Sequence, residues 1–140
     1  NNIAARVHNF CRQLQFFKKY EDWFILPRQM EESHTGWLSF PLTLRDDAPF
    51  TRREMQIFLE ERDIQTRVVF TGNILRQPAM QNVESRTTAE GDGVSDAVMR
   101  GGVLLACHHG LTEEQIDHVH QSFEDFAKSW ITKQSEKVNA

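Results

Sequence analysis

The residues best suited to hold a ligand fall in one short stretch: Thr66-Arg67, Gly72-Asn73 and Arg76-Gln77. Guanidinium forks match carboxylates and phosphates in bidentate fashion, and side-chain amides can fix sugar or base edges. This pattern reads as an anion and sugar contact on a strand end and the loop that follows it. The competing structural reading pairs Arg67 with a surface acid and leaves Asn73 to serve the turn. A second group, Cys107-His108-His109, precedes a capped helix. Metal ligation needs three or four convergent donors, and adjacent residues rarely converge. The expected role is a strand end with a buried cysteine and a histidine supporting a loop, with no metal. No Gly-rich phosphate loop, zinc-protease motif or nucleophile elbow is present, so no residue is assigned to catalysis.

The elements that must position these residues are legible from periodicity. Ile3, Val7, Phe10, Leu14 and Phe17 form one helical stripe, with Asn9 and Gln13 placed largely off it. Tyr20 to Glu32 reads as a connector. Trp37 to Leu44 alternates as a strand with Leu38, Phe40, Leu42 and Leu44 on one face, and Pro41 argues for an edge or a bulge. Thr51 and Glu54 predict a capping box, as do Thr112 and Gln115, the latter opening a helix with Ile116, Val119, Phe123, Phe126 and Trp130 inward. Ile64 to Phe70 is a β-rich run without a clean period. Asn73 to Gly93 reads as a long ordered loop, Val94 to Arg100 as a short helix and Val103 to Cys107 as a strand. The order predicts an α/β (α+β) domain: a small mixed or antiparallel sheet covered by helices. The expected division is an N-terminal helix and connector at 1–35, a small domain at 36–130 and a frayed polar tail at 131–140.

The chain has 140 residues, 39% hydrophobic and 26% charged, which suits one globular domain. Sixteen Lys and Arg against twenty Asp and Glu leave a net charge of −4, no electrostatic case for nucleic acid. No apolar run predicts a membrane span, and two cysteines predict a reducing, cytoplasmic setting. The chain opens on Asn1 inside a helical pattern, so a preceding segment is expected.

Three stretches resemble a known family. GWLSFPLTLRDD contains W-x-x-F-P-(I/L)-x-L, and Thr66 to Pro78 reads T-R-x-x-F-x-G-N-x-x-R-Q-P. SDAVMRGGVLLACHHGLTEEQID is similar to a closing helix, strand and helix with a G-L-T cap. Together they resemble the C-terminal small domain of the pyridoxal-phosphate-dependent sugar aminotransferase and dehydratase superfamily (DegT/DnrJ/EryC/StrS type), above all the CDP-4-keto-6-deoxyglucose 3-dehydratases of lipopolysaccharide O-antigen synthesis. The resemblance implies a homodimeric fold-type I enzyme whose PLP or PMP cofactor is held mainly by an upstream domain. The expected reaction removes the C3 hydroxyl of a 4-keto nucleotide sugar, with the cofactor ring as electron sink. The resemblance also admits an upstream [2Fe–2S] cluster and a separate reductase partner, with no cofactor or metal in this fragment and no turnover by it alone.

In that frame Arg67, Asn73, Arg76 and His108 are the expected substrate-binding residues, while Thr66 and Gln77 support the loop. The sequence departs from the pattern at His109, which replaces a proline, and at Ala106, which replaces a common glycine. Two other readings stand beside the dehydratase: the small domain of a PLP-dependent nucleotide-sugar 4-aminotransferase, and a stand-alone ligand-binding or interaction module.

Overall fold

The computed structural model describes the backbone of residues 1–138 and the side chains of residues 1–132. Its elements run α1 (Asn2–Phe17), β1 (Phe24–Ile25), β2 (Ser39–Leu44), α2 (Arg52–Glu60), β3 (Arg67–Val68), α3 (Gly93–Gly101), β4 (Gly102–Ala106) and α4 (Glu113–Val138). The four strands form one antiparallel sheet in the order β1-β2-β4-β3, covered by helices. This is the architecture that the alternation of helical and strand patterns predicts. The polar segment from 131 continues α4 as far as Val138, and the rest of the expected tail, 139–140, lies outside the described residues.

Both capping boxes form. Thr51 N donates to Glu54 Oε2 at 2.8 Å while its hydroxyl receives Glu54 N at 3.3 Å. Thr112 N donates to Gln115 Oε1 at 3.0 Å and its hydroxyl receives Gln115 N at 3.3 Å. Each box satisfies backbone donors that the first helical turn leaves without partners.

The core is largely aromatic. Phe10 and Phe17 of α1, Phe24 of β1, Phe40 of β2, Phe50 before α2, and Phe123 and Phe126 of α4 are all buried. Phe17 meets Phe123 edge-on with ring centres 4.9 Å apart, and Phe50 meets Phe126 at 4.7 Å. Leu42, Met55, Leu59, Val103 and Leu105 belong to the same cluster. Residues before and after position 35 therefore share one core.

The structure departs from the sequence expectations in four places. The connector supplies a strand, because Phe24 is drawn into the core and its neighbour pairs Ile25 with Thr43. Leu38 lies outside β2 and is exposed, since Trp37, at φ 25°, turns the chain and stacks on Phe10 at 3.7 Å. Pro41 sits in an inner strand, yet β1 reaches only Thr43 and Leu44, so at Pro41 β2 has a strand neighbour on one side alone. The missing N–H is therefore tolerated as at an edge.

The fourth departure is on α1, where Asn9 and Gln13 are buried rather than off the packed stripe. Asn9 Nδ2 donates to His108 O at 2.8 Å, and Gln13 Nε2 reaches Ala106 O at 3.5 Å. Burying an amide without partners costs several kcal/mol, on the order of 2–7. Here the amides donate to the carbonyls at and just beyond the end of β4. Gln13 Oε1 also accepts from His120 Nε2 at 3.0 Å, and the His120 ring stacks on Phe16 at 3.9 Å.

Burial, aided by the positive charges of Arg12 and Lys19, pushes the His120 imidazole down to about 4. The fold therefore holds the neutral ring, whereas the unfolded chain takes up a proton near 6.5. Stability from this residue is full above pH 6.5 and is lost as pH falls toward 4. Denaturant midpoints measured across this window should fall in the wild type, and the fall should be smaller in His120→Gln. Equal pH slopes in the two proteins would contradict this assignment.

Candidate functional site

The loop after β3 is built by two short turns and a close approach. Phe70 N donates to Val68 O at 3.0 Å, and Gly72 N donates to Val69 O at 2.9 Å. Phe70 has φ 45°, a left-handed conformation that a bulky residue adopts only when its surroundings impose it. Gly72 has φ 65°, and a Cβ there would stand 2.4 Å from Met99 Cβ. Glycine is required on both counts. Short 3₁₀ turns at Ile74–Arg76 and Pro78–Met80 follow.

Asn73 is buried and bonds in two directions. Its Oδ1 accepts from Leu75 N at 3.0 Å, capping the first 3₁₀ turn, while its Nδ2 donates to Asp92 at 2.7 Å and Asp96 at 2.8 Å. Arg76 completes a fork on Asp96, with Nε at 3.0 Å and an Nη at 2.7 Å. The Arg76 and Asn73 donors hold the Asp96 carboxyl down at about 2. A depressed carboxyl contributes above its ordinary value and is lost only as pH falls toward 2, so this clamp is formed throughout the neutral range. Asp92 and Asp96 stand one turn apart at the start of α3, where the helix dipole also favours negative charge.

Thr66 anchors the other end. Its hydroxyl donates to Glu60 Oε1 at 2.8 Å and accepts from Gln56 Nε2 at 2.9 Å, tying β3 to α2. The Thr66 hydroxyl and the Thr66 backbone N–H, which also donates to Glu60 Oε1 at 3.3 Å, hold the Glu60 carboxyl below its usual value. Arg67 is exposed, and its Nη1 donates to the carbonyl of Thr66 at 2.9 Å. Gln77 reaches Thr71 O at 3.4 Å.

The structure thus gathers Thr66, Arg67, Asn73, Arg76 and Gln77 onto one arm and places His108 elsewhere. Arg67 pairs with Leu104 and Val68 with Val103, so the loop leaves the sheet near the start of β4. His108 follows the end of β4, roughly 15–20 Å away at strand spacing. It is exposed, its Nδ1 accepts from Gly110 N at 3.2 Å, and its carbonyl binds Asn9. His109 is exposed beside it.

Sequence reasoning missed Asp92 and Asp96, although two acids four residues apart opening a helix are natural partners for nearby arginines and amides. It also missed Phe70 and Arg52. These two help line an open cleft of about 330 Å³ with Val68, Val69, Gln77 and Met99. Arg52 Nη1 donates to Met99 O at 2.8 Å and Gly102 O at 3.2 Å, which fixes the guanidinium on the end of α3.

Lys19 pairs with Glu124 on the surface, and Lys18 and Lys128 are exposed, so none of the three lines the cleft. No group of three or more His, Cys, Asp or Glu that could hold a metal occurs among the described residues. Burial pushes the Cys107 thiol up to about 11. No described helix is long and apolar enough to cross a membrane.

Comparison with known proteins gives a consistent result. The family described as the DegT/DnrJ/EryC1/StrS aminotransferase family matches residues 1–124. The lipopolysaccharide biosynthesis protein RfbH of Salmonella typhimurium is 34% identical over 124 residues, covering 89% of this chain and 28% of that protein. A dTDP-4-dehydro-2,6-dideoxy-D-glucose 3-dehydratase of Saccharopolyspora spinosa is 39% identical over 106 residues, covering 75% of this chain and 23% of that protein. The chain therefore spans about a quarter of the length of these curated relatives. Among solved structures, the Psychrobacter cryohalolentis aminotransferase superposes with a TM-score of 0.76 at 17% identity, covering 91% of this chain and 35% of that one. The E. coli GDP-4-keto-6-deoxy-D-mannose-3-dehydratase with bound hydrated PLP gives a TM-score of 0.73 at 20% identity, covering 86% and 30%. These structural likenesses show the fold.

The close approach of Gly72 to Met99 yields a direct check. Gly72→Ala should lower the free energy of unfolding by at least about 1 kcal/mol in chemical denaturation. An unchanged midpoint would show that the loop does not dock on α3 as described.

Proposed function

The chain belongs to the DegT/DnrJ/EryC1/StrS aminotransferase family, and on that premise we propose that it is the C-terminal small domain of a PLP- or PMP-dependent nucleotide-sugar 3-dehydratase. The specific reading is an enzyme of the CDP-4-keto-6-deoxyglucose type in deoxysugar and O-antigen synthesis. In this reading residues 1–35 enter from a larger preceding domain, and 36–130 close over its active site. The cofactor, and a [2Fe–2S] cluster where one is used, are held by that preceding domain. The enzyme is then a cytoplasmic homodimer acting on a nucleotide sugar, with a reductase as further partner, and this fragment alone is inactive.

The observation that carries the proposal is the arm from Thr66 to Pro78. Its T-R-x-x-F-x-G-N-x-x-R-Q-P pattern supplies donors suited to a diphosphate and a sugar, and the clamp on Asp92 and Asp96 holds them in place. Substrate contacts are assigned to Arg67, Asn73, Arg76 and His108, with Thr66 and Gln77 supporting the arm. Arg67 is the strongest of these, because its guanidinium is exposed and bonds only to the adjacent backbone among the described residues. Asn73 and Arg76 act from positions already bonded to α3, so their larger part is to hold the arm. His108 belongs to a separate corner at the far end of β4 and reaches the substrate only if the preceding domain brings the two together.

A second reading, the small domain of a nucleotide-sugar 4-aminotransferase, is favoured by the family description itself. The residue at the cofactor position of the longer polypeptide separates the two: histidine for the dehydratase, lysine for the aminotransferase.

The test is Arg67→Ala in the longer polypeptide that carries this domain. Loss of a charge-assisted bond to the diphosphate should raise KM for the nucleotide sugar about ten- to hundredfold. The thermal midpoint should be unchanged. An unfolded variant, or normal kinetics in a folded one, would overturn the assignment.

A further inference from the structure

Glu60 stands where a helix disfavours it. It is the last residue of α2, and a carboxylate there meets the negative end of the helix dipole. Its bonds lie instead with the start of β3. Oε1 accepts from the Thr66 hydroxyl at 2.8 Å and from Thr66 N at 3.3 Å, while Gln56 Nε2 donates to the same hydroxyl at 2.9 Å. The hydroxyl proton is therefore aimed at Glu60, and the direction of the chain from Gln56 through Thr66 to Glu60 is fixed. The Glu60 carbonyl closes the turn from its other side, accepting from Asp63 N at 3.1 Å, with Asp63 at φ 60°. One residue thus holds both ends of the link between α2 and β3.

β3 needs that hold. It has two residues, lies at the edge of the sheet, and pairs Arg67 with Leu104 and Val68 with Val103. So short a ladder sets its register weakly, and a slip of one residue would turn each side chain to the opposite face. Thr66 is 2% exposed while Arg67 beside it is exposed, as the period of two requires. Pinning Thr66 inward therefore directs Arg67 outward. The Thr66 carbonyl then accepts from Arg67 Nη1 at 2.9 Å, which orients the guanidinium and leaves its other N–H groups without a bond among the described residues.

We propose that Glu60 is a positioning residue for substrate binding, acting through Thr66 to hold Arg67 on the open face of β3. The proposal rests on the assignment of Arg67 to an anion of the nucleotide sugar, and it names what keeps that guanidinium in place. Glu60 itself carries the wrong charge to touch such an anion, and among the described residues both of its side-chain bonds go to Thr66. The feature that acts is an acceptor oxygen at this reach. An amide oxygen at the same reach serves equally, and a side chain one methylene shorter does not.

The experiment places Glu60→Ala, Glu60→Asp and Glu60→Gln in the longer polypeptide that carries this domain, each alone and together with Arg67→Ala. Glu60→Ala and Glu60→Asp should raise KM for the nucleotide sugar about tenfold, the scale of one lost charge-assisted bond, and change kcat far less. Glu60→Gln should keep KM near the wild-type value. In the Arg67→Ala background Glu60→Ala should raise KM no further, since the two residues act as a unit. Amide exchange at Thr66 should quicken in Glu60→Ala and stay slow in Glu60→Gln. If Glu60→Ala fails to fold, Glu60→Asp against Glu60→Gln decides. The proposal is overturned if the Glu60 variants keep the wild-type KM while Arg67→Ala raises it, if Glu60→Gln is as impaired as Glu60→Asp, or if Glu60→Ala raises KM equally with and without Arg67. A wild-type KM in Arg67→Ala itself would bring down the assignment of Arg67 and this proposal with it, so the two failures are distinguished.

Discussion

The junction between α3 and β4 is the constraint on which the candidate site depends. A Cβ on Gly101 would stand 2.5 Å from the carbonyl oxygen of Leu44, and one on Gly102 would stand 2.5 Å from that of Val98. Only two consecutive glycines allow a helix to run into an inner strand this close to β2. That approach sets the register of β4 against β2 and brings the last turn of α3 over the loop after β3. Met99 then covers Gly72, and the carbonyls of Met99 and Gly102 receive Arg52. One packing event therefore places the clamp, the cleft and the arm together.

Stability and geometry come from different interactions. Each fully buried Phe or Leu contributes roughly 1.5–3 kcal/mol, so the aromatic cluster dominates folding. The Arg76 fork on Asp96 is partly exposed and contributes far less to stability, as surface ion pairs do. Its value is conformational: three donors on one carboxylate leave the 3₁₀ turn a single docking position. The candidate ligand residues thus ride on a part of the fold that packing alone does not hold. This division is common where a loop must be ordered yet remain accessible.

The parts of the fold legible in the sequence were those with long periods and local caps. The stripe on α4, the alternation through Phe40, Leu42 and Leu44, and both capping boxes depend on near neighbours, so spacing reveals them. β1 was hidden because two residues have no period, and Phe24 is in a strand only because the core needs its ring. Asn9 and Gln13 were misplaced because polarity suggested solvent, whereas the carbonyls at the end of β4 gave them buried partners. In the candidate site the donors at Arg67, Asn73 and Arg76 were legible from residue type. Their partners were not, because Asp92 and Asp96 lie across the long loop and only the α3–β4 junction brings them near. The separation of His108 from the arm was equally invisible, since it follows from which end of β4 each segment adjoins.

The central claim is that the α3 carboxylates hold the arm. Its most direct test is amide hydrogen exchange in wild type and Asp96→Asn. Leu75, Arg76 and Gln77 N–H donate to Asn73 Oδ1, Asn73 O and Ile74 O, so their protection reports the docked turn. The account predicts that these three amides exchange at least about tenfold faster in the variant while the β4 amides keep their wild-type rates. Unchanged exchange at Leu75, Arg76 and Gln77, or an equal loss of protection throughout β4, would contradict it.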